Sequence, residues 1–259
     1  MTDISLEILA YLCFFAFLAG FIDSVVGGGG LVQLPALLIF LPGLAIPAII
    51  GTHKLASFSG TFVATIQYAR KVKLNWKFLI PIIISAGIFS VLGARLVSSL
   101  DKSVLKPLIL VLLILVLIYT YFKKDLGNIH NPKQTGNRQL LLGLLIGGGL
   151  GFYDGFFGPG TGSFLIFAFV IIFGLDFLNA SANAKIINCA TNIPAIVYFL
   201  YTGDVIFKVA LPLAVFNIMG SVAGSRLALT KGSSFVRMFF LVVVTGIILR
   251  FAYDILKEV

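Results

Sequence analysis

Long apolar runs separated by short polar loops leave this chain few ways to fold. They recur near residues 4–22, 31–41, 45–69, 78–98, 104–122, 139–153, 161–174, 180–201, 207–229 and 235–253. Backbone in hydrocarbon must satisfy its own hydrogen bonds, so only helices and closed barrels can cross a bilayer. The runs are continuous and do not alternate as barrel strands do, which points to helices. Only 11% of the residues are charged and 59% are hydrophobic, against about a quarter charged in an ordinary soluble domain. The expected fold is an all-α integral membrane protein of about ten transmembrane or re-entrant segments, and a soluble enzyme fits poorly. A spanning helix needs about 20 residues, so the run at 31–41 is too short to cross alone and should be half of a larger device.

The Lys and Arg residues behind the net charge of +9 concentrate between the apolar runs: Arg70, Lys71, Lys73 and Lys77 in one cluster, Lys123, Lys124, Lys133 and Arg138 in another. Basic loops mark the cytoplasmic face, so the charge reads as a topology signal and not as a nucleic-acid site. Counting crossings from these loops places both termini outside, and the loop of Lys231 and Arg237 inside. Short loops and the lack of a targeting signal suggest a prokaryotic inner membrane. Asp3 and Glu7 near the start are unlike the basic start of a cleaved signal peptide. Cys13 and Cys189 are far apart in apolar runs, and His53 and His130 have no clustered partners, so neither a metal, a disulfide framework nor a cofactor is expected.

The segment GFIDSVVGGGG at Gly20 superimposes on GFYDGFFGPGT at Gly151, with Asp23 meeting Asp154 131 residues later. The same offset pairs Lys54 with Lys185, Lys77 with Lys208, Pro81 with Pro212 and Arg95 with Arg226, without a gap. Charged residues repeated at one spacing inside apolar segments indicate duplication. Each copy holds five segments, and an odd number inserts the second copy upside down. The expected division is a first repeat over 1–124, a basic linker over 125–137 and an inverted second repeat over 138–259. The glycine tracts at Gly27 to Gly30 and Gly158 to Gly162 should break two helices at membrane depth, where irregular backbone survives only against protein or a water-filled cavity.

Each new helix beyond a break would present N–H groups and a positive dipole end to an anion, with Gly28, Gly29 and Gly30 in one copy and Gly160, Thr161 and Gly162 in the other. Neither tract ends in the GK[ST] of a nucleotide-binding loop. The following helices carry Lys54, Ser57 and Thr61, and Lys185, Asn188 and Asn192, each set on one face. Lysines this deep are expected to line the cavity, although Lys54 lies near enough to a helix start to snorkel. Asp23 and Asp154 can pair with the lysines or bond local N–H groups, the structural use that their position before the glycines favours, or exchange a proton during transport. His53 has only Ala184 as its counterpart and is an asymmetric contact. Arg95 and Arg226 read as helix-end residues, Trp76 as an interfacial anchor, and Pro81 and Pro212 as matching kinks.

The stretches AGFIDSVVGGGGLVQLPALL and GTHKLASFSGTFVAT, with GFYDGFFGPGTGSFL and NAKIINCATNIPA in the second half, resemble the sulfite exporter TauE/SafE family of membrane transporters. The resemblance covers nearly the whole chain. It implies cofactor-free secondary transport of small sulfur-containing anions such as sulfite, sulfoacetate or other organosulfonates by alternating access. Proton coupling and a homodimer are both compatible with it. Two alternatives differ in kind: a passive anion channel, and an intramembrane aspartyl protease built on Asp23 and Asp154. The second fits poorly, because Phe21 and Ile22 before Asp23 do not supply the GxG that such proteases carry.

Overall fold

The computed structural model describes residues 5–96 and 136–258, all of it helix and short connection. The helices are α1 (Leu6–Val26), α2 (Gly30–Phe40), α3 (Ile46–Ala69), α4 (Trp76–Leu96), α5 (Gly136–Phe156), α6 (Thr161–Ile171), α7 (Phe177–Tyr201) and α8 (Phe207–Glu258). The expected segment at 104–122, the boundary at 124, His130 and most of the basic linker lie outside the described residues. Among the described residues, four spans are long and apolar enough to cross a bilayer: α1, α4, α5 and residues 207–236 of α8. Exposed Ile80, Ile84, Ile88 and Leu92 run along one face of α4. Such a stripe is lipid-facing surface. The chain is an integral membrane protein.

Local chemistry sets the helix ends. Ser5 caps α1 by accepting the Ile8 N–H at 3.3 Å, and Asp176 caps α7 by accepting the Asn179 N–H at 2.9 Å. Pro47 sits in the first turn of α3, where its missing N–H costs nothing. The expected kink prolines, Pro81 and Pro212, lie inside α4 and α8. Gly232, with φ 74° and ψ −169°, interrupts α8, so the predicted separation of the last two apolar runs appears as a break within one helical stretch. Arg95 and Arg226 are exposed, and Trp76 opens α4 half-exposed.

Two long helix pairs frame the molecule, α1 on α8 and α4 on α5, and both close through small residues. Gly20 abuts the Asn217 carbonyl and Gly224 the Phe21 carbonyl; on the other side Gly151 abuts the Ala86 carbonyl and Gly93 the Phe152 carbonyl. Each contact in one pair has its counterpart 131 residues away in the other. Without a hydrophobic drive between helices in lipid, such backbone-to-backbone approach is the main source of packing energy. The short helices α2 and α6 begin together in the middle. There Gly162 packs on Gly27, and a Cβ on Gly162 would lie 2.5 Å from the Gly27 carbonyl oxygen.

Gly162→Ala should therefore lower the midpoint of thermal unfolding in detergent, as overpacking by about 1–3 kcal/mol does. Gly149→Ala on α5, where a Cβ would meet nothing within 4 Å, should leave it unchanged.

Candidate functional site

Both glycine tracts break their helices. Helix α1 ends at Gly27, whose φ of 76° needs glycine and whose N–H returns to the Asp23 carbonyl at 2.8 Å. Helix α5 ends before Gly158 and Gly160, at φ of 90° and 89°. Thr161 and Gly162, expected inside the second break, already belong to α6. The breaks touch: Ser163 donates its N–H to the Gly27 carbonyl at 3.1 Å and its hydroxyl to the Val26 carbonyl at 2.9 Å.

A helix leaves its last four carbonyls without intrahelical partners. At the buried end of α1 other elements supply the donors. Tyr68 donates to Ser24 at 3.0 Å, Ser181 to Val25 at 3.4 Å, and Ser163 to Val26 and Gly27, while Lys185 adds a second donor, at 2.6 Å, to the Asp23 carbonyl already bonded by Gly27. A cation at a helix C-terminus also meets the negative end of the dipole. The Lys185 ammonium lies 5.5 Å from the centre of the Tyr68 ring, a second favourable contact for a buried cation.

Lys54 is used differently. Its side chain and that of Asp154 are 2% and 3% exposed, and its ammonium donates to the Asp154 carboxylate at 3.4 Å and to the Asn192 side-chain carbonyl at 3.3 Å. It does not snorkel. The pair lines a cavity of about 20 Å³ with Asp23, Gly27, Gly30, His53, Ser57, Gly158, Gly160, Gly162, Asn188 and Asn192. That volume suits about one water. Asn192 donates to the Asn188 side-chain oxygen at 2.5 Å, which aims its own oxygen at Lys54.

Ten of the residues expected from the sequence thus line one cavity: Asp23, Gly30, His53, Lys54, Ser57, Asp154, Gly160, Gly162, Asn188 and Asn192. Lys185, Thr61, Thr161, Gly28 and Gly29 do not. Thr61 is taken up by the Asp23 carboxylate at 3.0 Å, and the Thr161 hydroxyl by the Gly158 carbonyl at 2.7 Å. Gly27 and Gly158 join the lining although the sequence reading gave them only a break-forming part. The expectation that the aspartates bond local N–H groups needs correction: their carboxylates accept from Thr61 and Lys54. Both aspartates sit in the last turn of a helix, where the backbone presents carbonyls and not N–H groups. The larger hollow of about 480 Å³ beside Leu145, Ile146, Phe164, Phe167 and Ile172 is apolar. It has Tyr153 as a polar neighbour, whose hydroxyl is committed to the Pro159 carbonyl at 2.7 Å.

A model of the family described as sulfite exporter TauE/SafE matches residues 12–251. The chain belongs to the sulfite exporter TauE/SafE family. It is 35% identical over 254 residues to a probable membrane transporter protein of Sinorhizobium sp, covering 98% of this chain and 96% of that one. A probable membrane transporter protein of Haemophilus influenzae is 34% identical over 252 residues, 97% of each chain. The Escherichia coli protein YfcA, also named a probable membrane transporter, is 35% identical over 247 residues, 95% of this chain and 90% of its own. No solved structure matches the chain at a significant level. This TauE/SafE protein is a membrane transporter by family and relatives, which fits a non-enzymatic role.

Breaking a buried ion pair from one side costs about 3–5 kcal/mol, whereas replacing both partners by apolar groups of similar volume is often neutral. Lys54→Met should accordingly lower stability in detergent by that amount, and Lys54→Met with Asp154→Leu should restore most of it, measured by a double-mutant cycle of unfolding midpoints.

Proposed function

We propose that this protein is a secondary carrier of small sulfur-containing anions, such as sulfite, sulfoacetate or other organosulfonates, working by alternating access. The observation that supports it most is the Lys54 ammonium, buried at the meeting point of two broken helices and facing a small polar cavity. Such a site offers an anionic oxygen a cation, the Asn188 amide and the N-terminal turns of α2 and α6, while the Asn192 amide nitrogen, committed to the Asn188 oxygens, would have to turn to donate to it. Sulfur oxyanions are compact and strongly hydrogen-bonding, and the name of the matching family points the same way. The closed cavity favours a carrier over an open channel. The aspartyl protease alternative loses support because the carboxylates face Thr61 and Lys54.

The architecture proposed is two inverted five-segment repeats that rock against each other. In its favour, α2 and α6 begin and end 131 residues apart, as do the starts of α3 and α7 and of α4 and α8. The contacts Gly20 to Asn217 and Gly151 to Ala86 obey the same offset. Each lysine reaches the other half, Lys54 to Asp154 and Lys185 to Asp23. In this reading Lys54 and the two asparagines contact substrate, with Ser57 and the glycine lining shaping the site. Lys185 and Thr61 position the first break in the closed state. The chain would lie in a prokaryotic inner membrane with both termini outside.

Proteoliposome uptake of sulfite, sulfate, thiosulfate and sulfoacetate, with a carboxylate control, tests the reading. Lys54→Ala removes a charge-assisted bond worth about 1.5–3 kcal/mol, so half-saturation should rise about 10- to 100-fold. Unchanged flux and selectivity in Lys54→Ala would exclude this role for the lysine.

A further inference from the structure

The charged side chains that meet at the centre are two ammonium groups, Lys54 and Lys185, and two carboxylates, Asp23 and Asp154, and their formal charges cancel. An incoming anion adds negative charge in surroundings that solvate it poorly. There is also no space for it beside the resident carboxylate, since the cavity holds about 20 Å³. Whatever anion binds Lys54 must take the place of Asp154, and Asp154 can remain buried without Lys54 at least cost as the neutral acid.

The two halves differ in a way that selects Asp154 over Asp23. The end of α1 is fastened by Tyr68, Ser163, Ser181 and Lys185, and the Asp23 carboxylate by Thr61. The residues 131 positions from Tyr68, Ser163 and Ser181 are Phe199, Val32 and Ile50, which have no hydroxyl. The end of α5 therefore lacks those three fastenings. Among the described residues, Lys54 is the sole hydrogen-bond donor to the Asp154 carboxylate. The first break is a fixed wall and the second carries an exchangeable carboxylate.

We propose that Asp154 is the proton site of an anion–proton symport, an inference that rests on the carrier reading above. One proton passes from water to the Asp154 carboxylate as one anion replaces that carboxylate on Lys54. Lys54 stays an ammonium throughout, and anion and proton leave together on the far side. For a monovalent sulfonate the loaded and empty sites carry the same charge, so the cycle moves no net charge. Other groups bear on this titration. Helix α3 brings Lys54 and His53, α1 brings Asp23, and α7 brings Cys189 and Lys185, the latter turned to the Asp23 carbonyl. Helix α4 has titratable groups only near its ends, Lys77 and Arg95, and α6 has none. On α5 itself stand Arg138, in the first turn, and Tyr153, whose hydroxyl is bonded to Pro159. His53 is the rival acceptor, because its buried Nδ1 has no hydrogen-bond partner among the described residues.

The full chain in proteoliposomes, given methanesulfonate with a pH-reporting dye in the lumen, tests this. The expected result is about one proton entering per anion, accumulation driven by an inward proton gradient and abolished by a protonophore, and no change when sodium is replaced by N-methylglucamine. Asp154→Asn should bind anion more tightly and still exchange labelled for unlabelled anion, but lose proton entry and uphill accumulation. Asp154→Glu should keep both, and His53→Gln, whatever its rate, should keep the proton-to-anion ratio. Anion flux without proton movement in the wild type, or driven by sodium, would overturn the symport and leave the carrier intact. Coupling that survives Asp154→Asn or disappears in His53→Gln would overturn the assignment to Asp154. Absence of flux for every anion would overturn both readings. If Asp154→Asn does not fold, the wild-type ratio still decides the symport and His53→Gln the assignment.

Discussion

Backbone polar groups freed at membrane depth must find partners inside the protein, and the rest of this molecule is arranged around that requirement. Breaking α1 at Gly27 leaves the carbonyls from Ser24 to Gly27 without intrahelical partners and away from water. Each receives a donor, in turn Tyr68, Ser181 and Ser163 through its hydroxyl and its N–H, and Lys185 adds a second donor to the Asp23 carbonyl that the Gly27 N–H already bonds. These donors come from α3, α6 and α7, so closing one helix end ties four elements to one point. An unsatisfied carbonyl in a nonpolar medium costs several kcal/mol, about the net worth of many packing contacts. The break is therefore possible only where the rest of the fold converges, and that is also where a polar cavity can exist.

Charge follows the same logic. Two ammonium groups so far from water need neutralising or dipolar partners, and the chain gives each a different one. Lys54 takes a carboxylate and an amide oxygen; Lys185 takes a helix-end carbonyl and an aromatic face. The first arrangement can be exchanged for another anion, because one negative group can replace another without a new void of unmatched charge. The second cannot be exchanged without unfastening α1. Matching lysines in sequence thus hold unlike positions in space, and the TauE/SafE protein gains a fixed side and an exchangeable side.

Much of this was legible from residues. The apolar runs predicted α1 to α8 closely, because helix is nearly the sole choice for unbroken hydrophobic backbone in lipid. The glycine tracts predicted both breaks, since glycine alone tolerates the φ of Gly27, Gly158 and Gly160 at no steric cost. Spacing on α3 and α7 placed Lys54, Ser57, Asn188 and Asn192 on faces that do meet. What misled was treating equal offset as equal role. Thr61 and Lys185 sit at the expected depth, yet their polar atoms are consumed by Asp23. The other donors that close the end of α1, Tyr68, Ser163 and Ser181, have no periodicity or motif to announce them.

Sequence by itself determined a helical membrane protein with paired glycine breaks, duplicated lysines and aspartates, and a family. These follow from composition, chain-local sterics and spacing along one helix, which need no knowledge of neighbours. Tertiary structure alone decided that Lys54 reaches Asp154 across 100 residues of chain and that Lys185 grips a carbonyl 162 residues away. The physical reason is that a buried charge takes the best partner within reach, and reach is set by how helices cross, which no single stretch of residues encodes.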